Sequence, residues 1–196
     1  MSTTVLYMSM SLDGFIAGPN AGPGNGLGDG GERLHDWVGQ GDIESAADRL
    51  DDADRAVIDD FMSTGAVLAG RGTFEPAGGW EGDHHDGVPI FILSRHEPPA
   101  EFADYPNVTY LSDLAEAVGR ARDAAGDKGV LVHGASIAQR MLRAGLLDEI
   151  QIHLVPVLLG DGQRLFEHLG AGHVELEPVA VHQGNEVTHL RYRVRR

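Results

Sequence analysis

A chain of 196 residues is long enough for one domain with a sizeable core. Its 30 acidic against 15 basic side chains leave a formal charge of −15, which repels nucleic acid and anionic membrane surfaces. Cysteine is absent, which excludes disulfides and thiol chemistry. With no basic, apolar leader and no run of membrane-spanning length, the expected compartment is the cytoplasm.

Thr4–Met10 is largely apolar and reads as a central strand, running into a turn at Asp13-Gly14. Residues 18–31 are dense in Gly and Pro, so they form either a flexible surface loop or a cover over a site. His35–Val38 suits a short helical turn. Residues 44–63 carry helical spacing, with Val57, Ile58, Phe61 and Met62 facing inward. Asp48, Asp51, Asp52 and Asp54 read as its solvated side. Gly65–Gly70 is a second buried strand, followed by Arg71-Gly72-Thr73. The loop 76–89 holds Trp80 and the pair His84-His85, read as solvated rather than metal-binding, and no metal site is expected in the chain.

Val88–Leu93 is a strand closed by Ser94-Arg95, and Val108–Leu111 is another. Ser112 is placed to cap a helix through Ala125, with Leu114, Ala117, Val118 and Ala121 on one face. The stretch 129–146 then gives a short strand over Val130–Val132, a small-residue turn at His133-Gly134-Ala135, and a helix starting at Ser136. Ser136 and Gln139 have the spacing of a capping box. Ile137, Met141 and Leu142 form the apolar face, and Gly145 the stop. Glu149–Val157 is a strand interrupted at Pro156, which suggests an edge or a strand end. Val174–His182 and Val187–Val194 alternate with period two around a turn at 183–186. Strands that first alternate with helices and then follow one another imply an α/β fold. The sheet would be mixed, mostly parallel with an antiparallel C-terminal edge hairpin, and covered by helices on both faces. No domain boundary interrupts residues 1–196.

Three strands end in residues suited to anions: Gly70-Arg71-x-Thr73, Ser94-Arg95 and His133-Gly134-Ala135-Ser136. Strand ends on one edge of an α/β sheet form a ligand crevice. Guanidinium forks, hydroxyls and a helix N-terminus are phosphate donors. Phosphates at separated positions suit a dinucleotide with a 2′-phosphate, so NADPH is the expected cofactor. Neither a G-x-G-x-x-G nor a P-loop pattern accompanies it.

The stretches MSLDGFIAG, GAVLAGRGTFE and PIFILSRH, followed by LVHGASIAQRMLRAGLLDEIQIHLVPVLLGDGQRLF, resemble the dihydrofolate reductase-like superfamily. Within it they are most similar to the group related to the C-terminal reductase domain of the riboflavin-biosynthesis bifunctional deaminase-reductase. The resemblance spans nearly the whole chain. It implies a three-layer α/β/α fold, NADPH binding, hydride transfer to a small heterocycle such as a pterin or pyrimidinone, and a homodimer. By position, Ile16 and Ala17 would face the nicotinamide. Gly70, Arg71 and Thr73 would hold phosphates, and Leu93, Ser94 and Arg95 would meet the 2′-phosphate and adenosine end. His133, Gly134, Ala135, Ser136 and Ile137 would cradle the pyrophosphate, with Leu159 and Gly160 close to the cofactor. This chain has His133-Gly134 where dihydrofolate reductases carry Gly-Gly. Asp13 and Asp36 are the candidate catalytic acids. Two alternatives stand beside this reading: a 5-amino-6-(5-phosphoribosylamino)uracil reductase, here without a zinc deaminase signature, and a nucleotide-binding module without catalysis.

Overall fold

The computed structural model describes residues 2–41, 46–170 and 172–195. Its strands are β1 (Thr4–Ser11), β2 (Phe15–Ala17), β3 (Ala66–Gly70), β4 (Ile90–Leu93), β5 (Val108–Leu111) and β6 (Val130–His133), then β7 (Glu149–Val155), β8 (Gln163–Arg164), β9 (Leu176–Gln183) and β10 (Thr188–Val194). The helices are α1 (Asp52–Met62), the single turn α2 (Arg71–Phe74), α3 (Leu114–Ala125) and α4 (Ala135–Ala144), with tighter 3-10 segments at Gly31–Gly41 and Gly78–Gly82. Eight strands form one sheet in the order β5-β4-β3-β6-β1-β7-β10-β9, and β2 pairs with β8 apart from it. The pairs from β5 to β7 are parallel, and β10 and β9 close the sheet antiparallel.

Period-two alternation divides the core between the two faces. Leu6, Leu68, Phe91, Val130, Val132 and Ile150 pack on one face, under the apolar sides of α3 and α4. Val5, Tyr7, Val67, Ala69, Ile90, Ile92 and Leu131 occupy the other, with Phe74 and Phe102. Beside them Leu34, Trp37, Val57, Val155 and Val187 fill the space under α1. The mixed sheet, the helical layers on both faces and the C-terminal hairpin therefore match the sequence pattern.

Several local expectations change. The first helix spans Asp52–Met62 rather than 44–63, and 44–45 lie outside the described residues. Its Asp54 is not solvated but fully buried, while Val57 does face inward. The cap of α3 is Asp113, one residue past Ser112, with its carboxylate accepting from the Glu116 N–H at 2.8 Å. Helix α4 begins one residue early, at Ala135, with Gly134 in the cap position and no side chain capping it. The Ser136–Gln139 capping box is therefore absent, and the Gln139 amide instead donates to the Leu165 carbonyl at 3.0 Å. β7 stops before Pro156 and lies between β1 and β10, so it is an interior strand rather than an edge, and Ile150 and Ile152 are core residues. Loop 18–31 is tied internally: Gly18 N–H donates to Leu27 O, and Asp29 N–H to Pro19 O, each at 2.8 Å.

One polar clamp fastens the start of β1 to the α4–β7 connection. Asp148 Oδ2 accepts from the Thr4 N–H and hydroxyl at 3.0 Å each, and from Arg122 at 2.7 Å. Burial alone would raise the Asp148 pKa, but the Thr4 and Arg122 donors outweigh it and hold the carboxyl below its usual range. A carboxyl depressed in the folded state contributes stability above its unfolded pKa and loses it as pH falls through the folded value. Asp148→Asn is expected to cost about 1.5–3 kcal/mol, roughly 3–10 °C in a thermal melt for a chain of this size. It should also flatten the acid side of the melting curve against pH. An unchanged melting temperature and acid slope would show that the clamp carries no weight.

Candidate functional site

Parallel pairing puts the carboxyl ends of β4, β3 and β6 side by side on one edge. Gly70 pairs with Leu93, and Ala69 with His133. The three anion-suited ends of the sequence are therefore neighbours. At the β6 end, Gly134 has φ +102°, open to glycine and strained for other residues, and a Cβ there would overlap the Thr73 hydroxyl. A Cβ on Gly70 would come 2.9 Å from Ser136 Oγ. The turns after β3 and β6 thus abut, with two hydroxyls between them. The Gly134 N–H lies 3.2 Å from Met8 Sδ on β1. With no side chain capping α4, its first-turn N–H groups are available to an anion.

The other expected residues fall around this edge in different states. Arg71 is exposed on one side and pairs with Glu75 at 2.8 Å. Arg95 is exposed, and no ion pair is found for it among the described residues. Leu93 is core, and the Ser94 hydroxyl is engaged with His96, donating to its carbonyl at 2.8 Å and accepting from its N–H at 3.0 Å. Ala135 and Ile137 are buried, so only their backbone can face a ligand, while Ser136 is exposed. Ile16 and Ala17 are buried in β2, forming an apolar wall beyond β1.

The two candidate acids are both engaged elsewhere. Asp13 accepts from the Ser11 hydroxyl at 2.6 Å, from the Leu159 N–H at 3.2 Å and from the Gly160 N–H at 2.8 Å. The Ser11 hydrogen bond, followed by those two amides, holds the Asp13 carboxyl below its usual range. An ionised carboxylate that pins the 159–160 turn is a poor proton donor near neutrality. Asp36 pairs with Arg33 at 3.3 Å and accepts from the Gln40 amide. Its neighbour Trp37 is buried, and the Trp37 Nε1–H donates to Ser9 Oγ at 3.0 Å.

Sequence reasoning missed a group of histidines on the α1 face. The loop pair is not simply solvated. His85 is buried and hydrogen-bonded to Thr64 Oγ1 at 3.1 Å, and the two rings meet Nδ1 to Nδ1 at 2.8 Å. The His84 ring lies 4.5 Å from Trp80, 5.1 Å from His133 and 5.2 Å from Phe61. Burial, then His133 and His85, push the His84 pKa down to about 2. Burial, with His35 and His85, pushes His133 down to about 4, against a raising hydrogen bond at Tyr7. These imidazoles are neutral donors and acceptors, set among aromatic rings, one residue before the Gly134 turn. The signal was in the pleat: His133, His153 and His189 each fall on the α1-facing parity of their strands. Among the described residues no group of three or more His, Asp or Glu side chains is arranged to hold a metal ion. No described helix is long and apolar enough to cross a membrane.

Comparison with known proteins agrees with this architecture. Residues 3–190 match the family model of the RibD C-terminal domain. The uncharacterized protein YwjB of Bacillus subtilis is 26% identical over 175 residues, covering 85% of this chain and 83% of YwjB. A crystal structure from Shewanella sp. PV-4, named for riboflavin biosynthesis, superposes with a TM-score of 0.71 at 21% identity over 99% of both chains. The diaminohydroxyphosphoribosylaminopyrimidine deaminase/5-amino-6-(5-phosphoribosylamino)uracil reductase of Thermotoga maritima gives 0.64 at 15% identity, over 98% of this chain and 56% of that one. At such identities the structures show the shared fold, and the sequence match shows the kinship: this chain belongs to the RibD C-terminal domain family, a reductase family with the dihydrofolate reductase-like fold.

Proposed function

We propose that this chain, as a single reductase domain in the cytoplasm, uses NADPH to reduce a small heterocycle such as a pterin or pyrimidinone. The observation that carries the reading is the uncapped N-terminus of α4, beside Arg71 and Thr73 and one strand from Arg95. The first-turn amides at 135–137 would hold the pyrophosphate. The Thr73 and Ser136 hydroxyls and the Arg71 guanidinium would bind the same phosphates. Arg95 would meet the 2′-phosphate, and Ile16 and Ala17 would shield the nicotinamide from water. Leu159 and Gly160, pinned by Asp13, would border the cofactor. When bound, NADPH would supply the hydride from its nicotinamide C4.

A second reading makes the acceptor the ribosylamino-uracil of riboflavin synthesis. It is favoured by the likeness to the Thermotoga maritima deaminase/reductase, whose length this chain only half spans. Engagement of both Asp13 and Asp36 favours a third, a cofactor-binding module without turnover. The dimer belongs to the reductase reading as well. Its candidate surface is edge strand β9, where Leu176, Val179 and Val181 are exposed, and a monomer by light scattering at micromolar concentration would remove it.

NADPH is expected to bind at least about tenfold more tightly than NADH, and Arg95→Ala to erase most of that difference, since a hydrogen bond to a charged group is worth about 1.5–3 kcal/mol. Fluorescence titration of both cofactors reads this directly, and equal affinities in the unmodified chain would contradict the assignment. NADPH consumption across pterins, pyrimidinones, ribosylamino-pyrimidines and quinones then separates the readings. Affinity without turnover would favour the binding module.

A Gly134 variant would strain the turn before it tested a ligand, so Ser136 is the cleaner probe. Because Ser136 caps nothing, Ser136→Ala should change stability by less than about 0.5 kcal/mol while weakening NADPH several-fold. A melt lowered by a lost cap, with NADPH affinity intact, would reverse this assignment.

A further inference from the structure

The α1 face also holds a buried chain of titratable groups that the strand-end site does not use. Asp54, on the inner side of α1, lies 2.9 Å through Oδ1 from His189 Nε2, and both side chains are 1% exposed. His189 Nδ1 in turn lies 2.9 Å from His153 Nδ1, directly across the β7–β10 pair. Asp54 Oδ2 accepts from the Asp51 and Asn185 N–H groups at 3.2 Å each, so the carboxylate is fixed. A Cβ on Gly184 would overlap Asp54 Oδ1, so the hairpin turn approaches this closely only as glycine.

Two imidazoles joined Nδ1 to Nδ1 share a single proton between those atoms. When His189 is an imidazolium, its Nε2–H faces Asp54 and its Nδ1–H donates to His153. His153 must then carry its own proton on Nε2. When His189 is neutral, its Nε2–H still donates to Asp54, and its Nδ1 is a lone pair. His153 must then donate from Nδ1, which leaves its Nε2 bare. One proton gained by His189 therefore turns the far nitrogen of His153 from acceptor to donor.

We propose that Asp54, His189 and His153 form a proton relay whose outlet is His153 Nε2, delivering a proton to a planar nitrogen heterocycle held beside the β1 and β6 ends. His153 pairs with Ser9 of β1, its ring lies 4.9 Å from Trp37, and His133, the last residue of β6 before the Gly134 turn, acts on it across the same face. In the delivery step the His153 Nε2–H bond breaks and the proton goes to a ring nitrogen of the heterocycle. The proton on His189 Nδ1 moves to His153 Nδ1, and the imidazolium becomes neutral. The heterocycle's other hydrogen is the hydride of the reductase reading, on which only the identity of the acceptor rests.

The surroundings suit a relay. His153 is held well below the usual imidazole range, by burial first and then by His189, His133 and His35, so it takes no second proton while His189 is charged. Of the other groups around the pair, Asp60 of α1 and Glu149 of β7 both close on Arg191 of β10, at 2.9 and 2.8 Å. The Tyr7 hydroxyl of β1 donates to Asp60. Asp54 is thus the carboxylate that answers His189. On the far side, His189 lines a surface pocket of about 120 Å³ together with Asp60, Gln151, His182 of β9 and Arg191; with both ring nitrogens engaged, His189 regains its proton only when the pair opens toward that pocket.

Nitrogen-15 NMR of the imidazoles tests the relay without any ligand. As the pH is raised, His153 should pass from the Nε2–H to the Nδ1–H tautomer when the imidazole pair gives up its one extra proton. Asp54→Asn should move that switch down by at least about one pH unit. His189→Gln should abolish it, which keeps the test sound if the Asp54 variant does not fold. A single His153 tautomer throughout in the unmodified chain would overturn the relay. With any acceptor turned over in the NADPH panel, His153→Gln should lower kcat at least about a hundredfold, and an unchanged kcat and pH profile would overturn the delivery role. Absence of NADPH binding would refute the reductase reading and leave the tautomer result standing.

Discussion

The parallel pairing of β4, β3, β6 and β1 is the constraint on which the rest of the structure depends. Strands that run the same way must open their carboxyl ends on the same edge, and connections between them must cross the faces as helices. Turns that are far apart in the chain, after Gly70, Leu93 and His133, thereby become neighbours. The abutting Gly134 and Thr73 show how close that approach is. Because α4 starts at the edge without a side-chain cap, its amides remain available where the guanidinium and hydroxyl groups gather.

The same pleat that makes the edge also sorts the two faces. The α3–α4 face is almost wholly apolar. The α1 face carries the half-buried His133 together with Tyr7, Ser9, His153 and His189, which are buried and held by hydrogen bonds. A buried carboxylate such as Asp54 is costly unless paired and hydrogen-bonded, and three donors meet it here. Its position on the inner side of α1 is what a histidine on the facing strand requires. The buried titratable groups and the anion-suited turns therefore occupy separate elements: the first lie on β7, β10 and α1, the second after β3, β4 and β6.

Much of the fold was legible because apolar period and turn residues report it directly. The runs at Val67–Leu68, Ile90–Leu93 and Val130–Val132 announce buried strands, and the alternation from Leu176 to Val194 announces the hairpin. Boundaries shifted where two residues compete for one job, as when Asp113 caps in place of Ser112 and Gly134 takes the cap position of α4 ahead of Ser136. The anion-suited ends were also legible, since Gly, Arg and Ser after a strand have few other uses in series. The histidine network was not. Pairing partners at 153 and 189 depend on strand register, and Asp54 reads as surface because its neighbours 48, 51 and 52 are acidic. Only the long-range pairing of α1 with β10 makes it an interior residue.

The central claim is that the strand-end edge, and not the pocket between α1 and β9, receives the dinucleotide. Backbone amide shifts in a proton–nitrogen NMR spectrum, recorded as NADPH is added, test it most directly. The largest changes should fall on residues 71–73, 94–95 and 134–137, with smaller ones at Ile16 and Ala17. Changes centred instead on Asp60, Gln151 and His182, or no saturable change at any position, would contradict it.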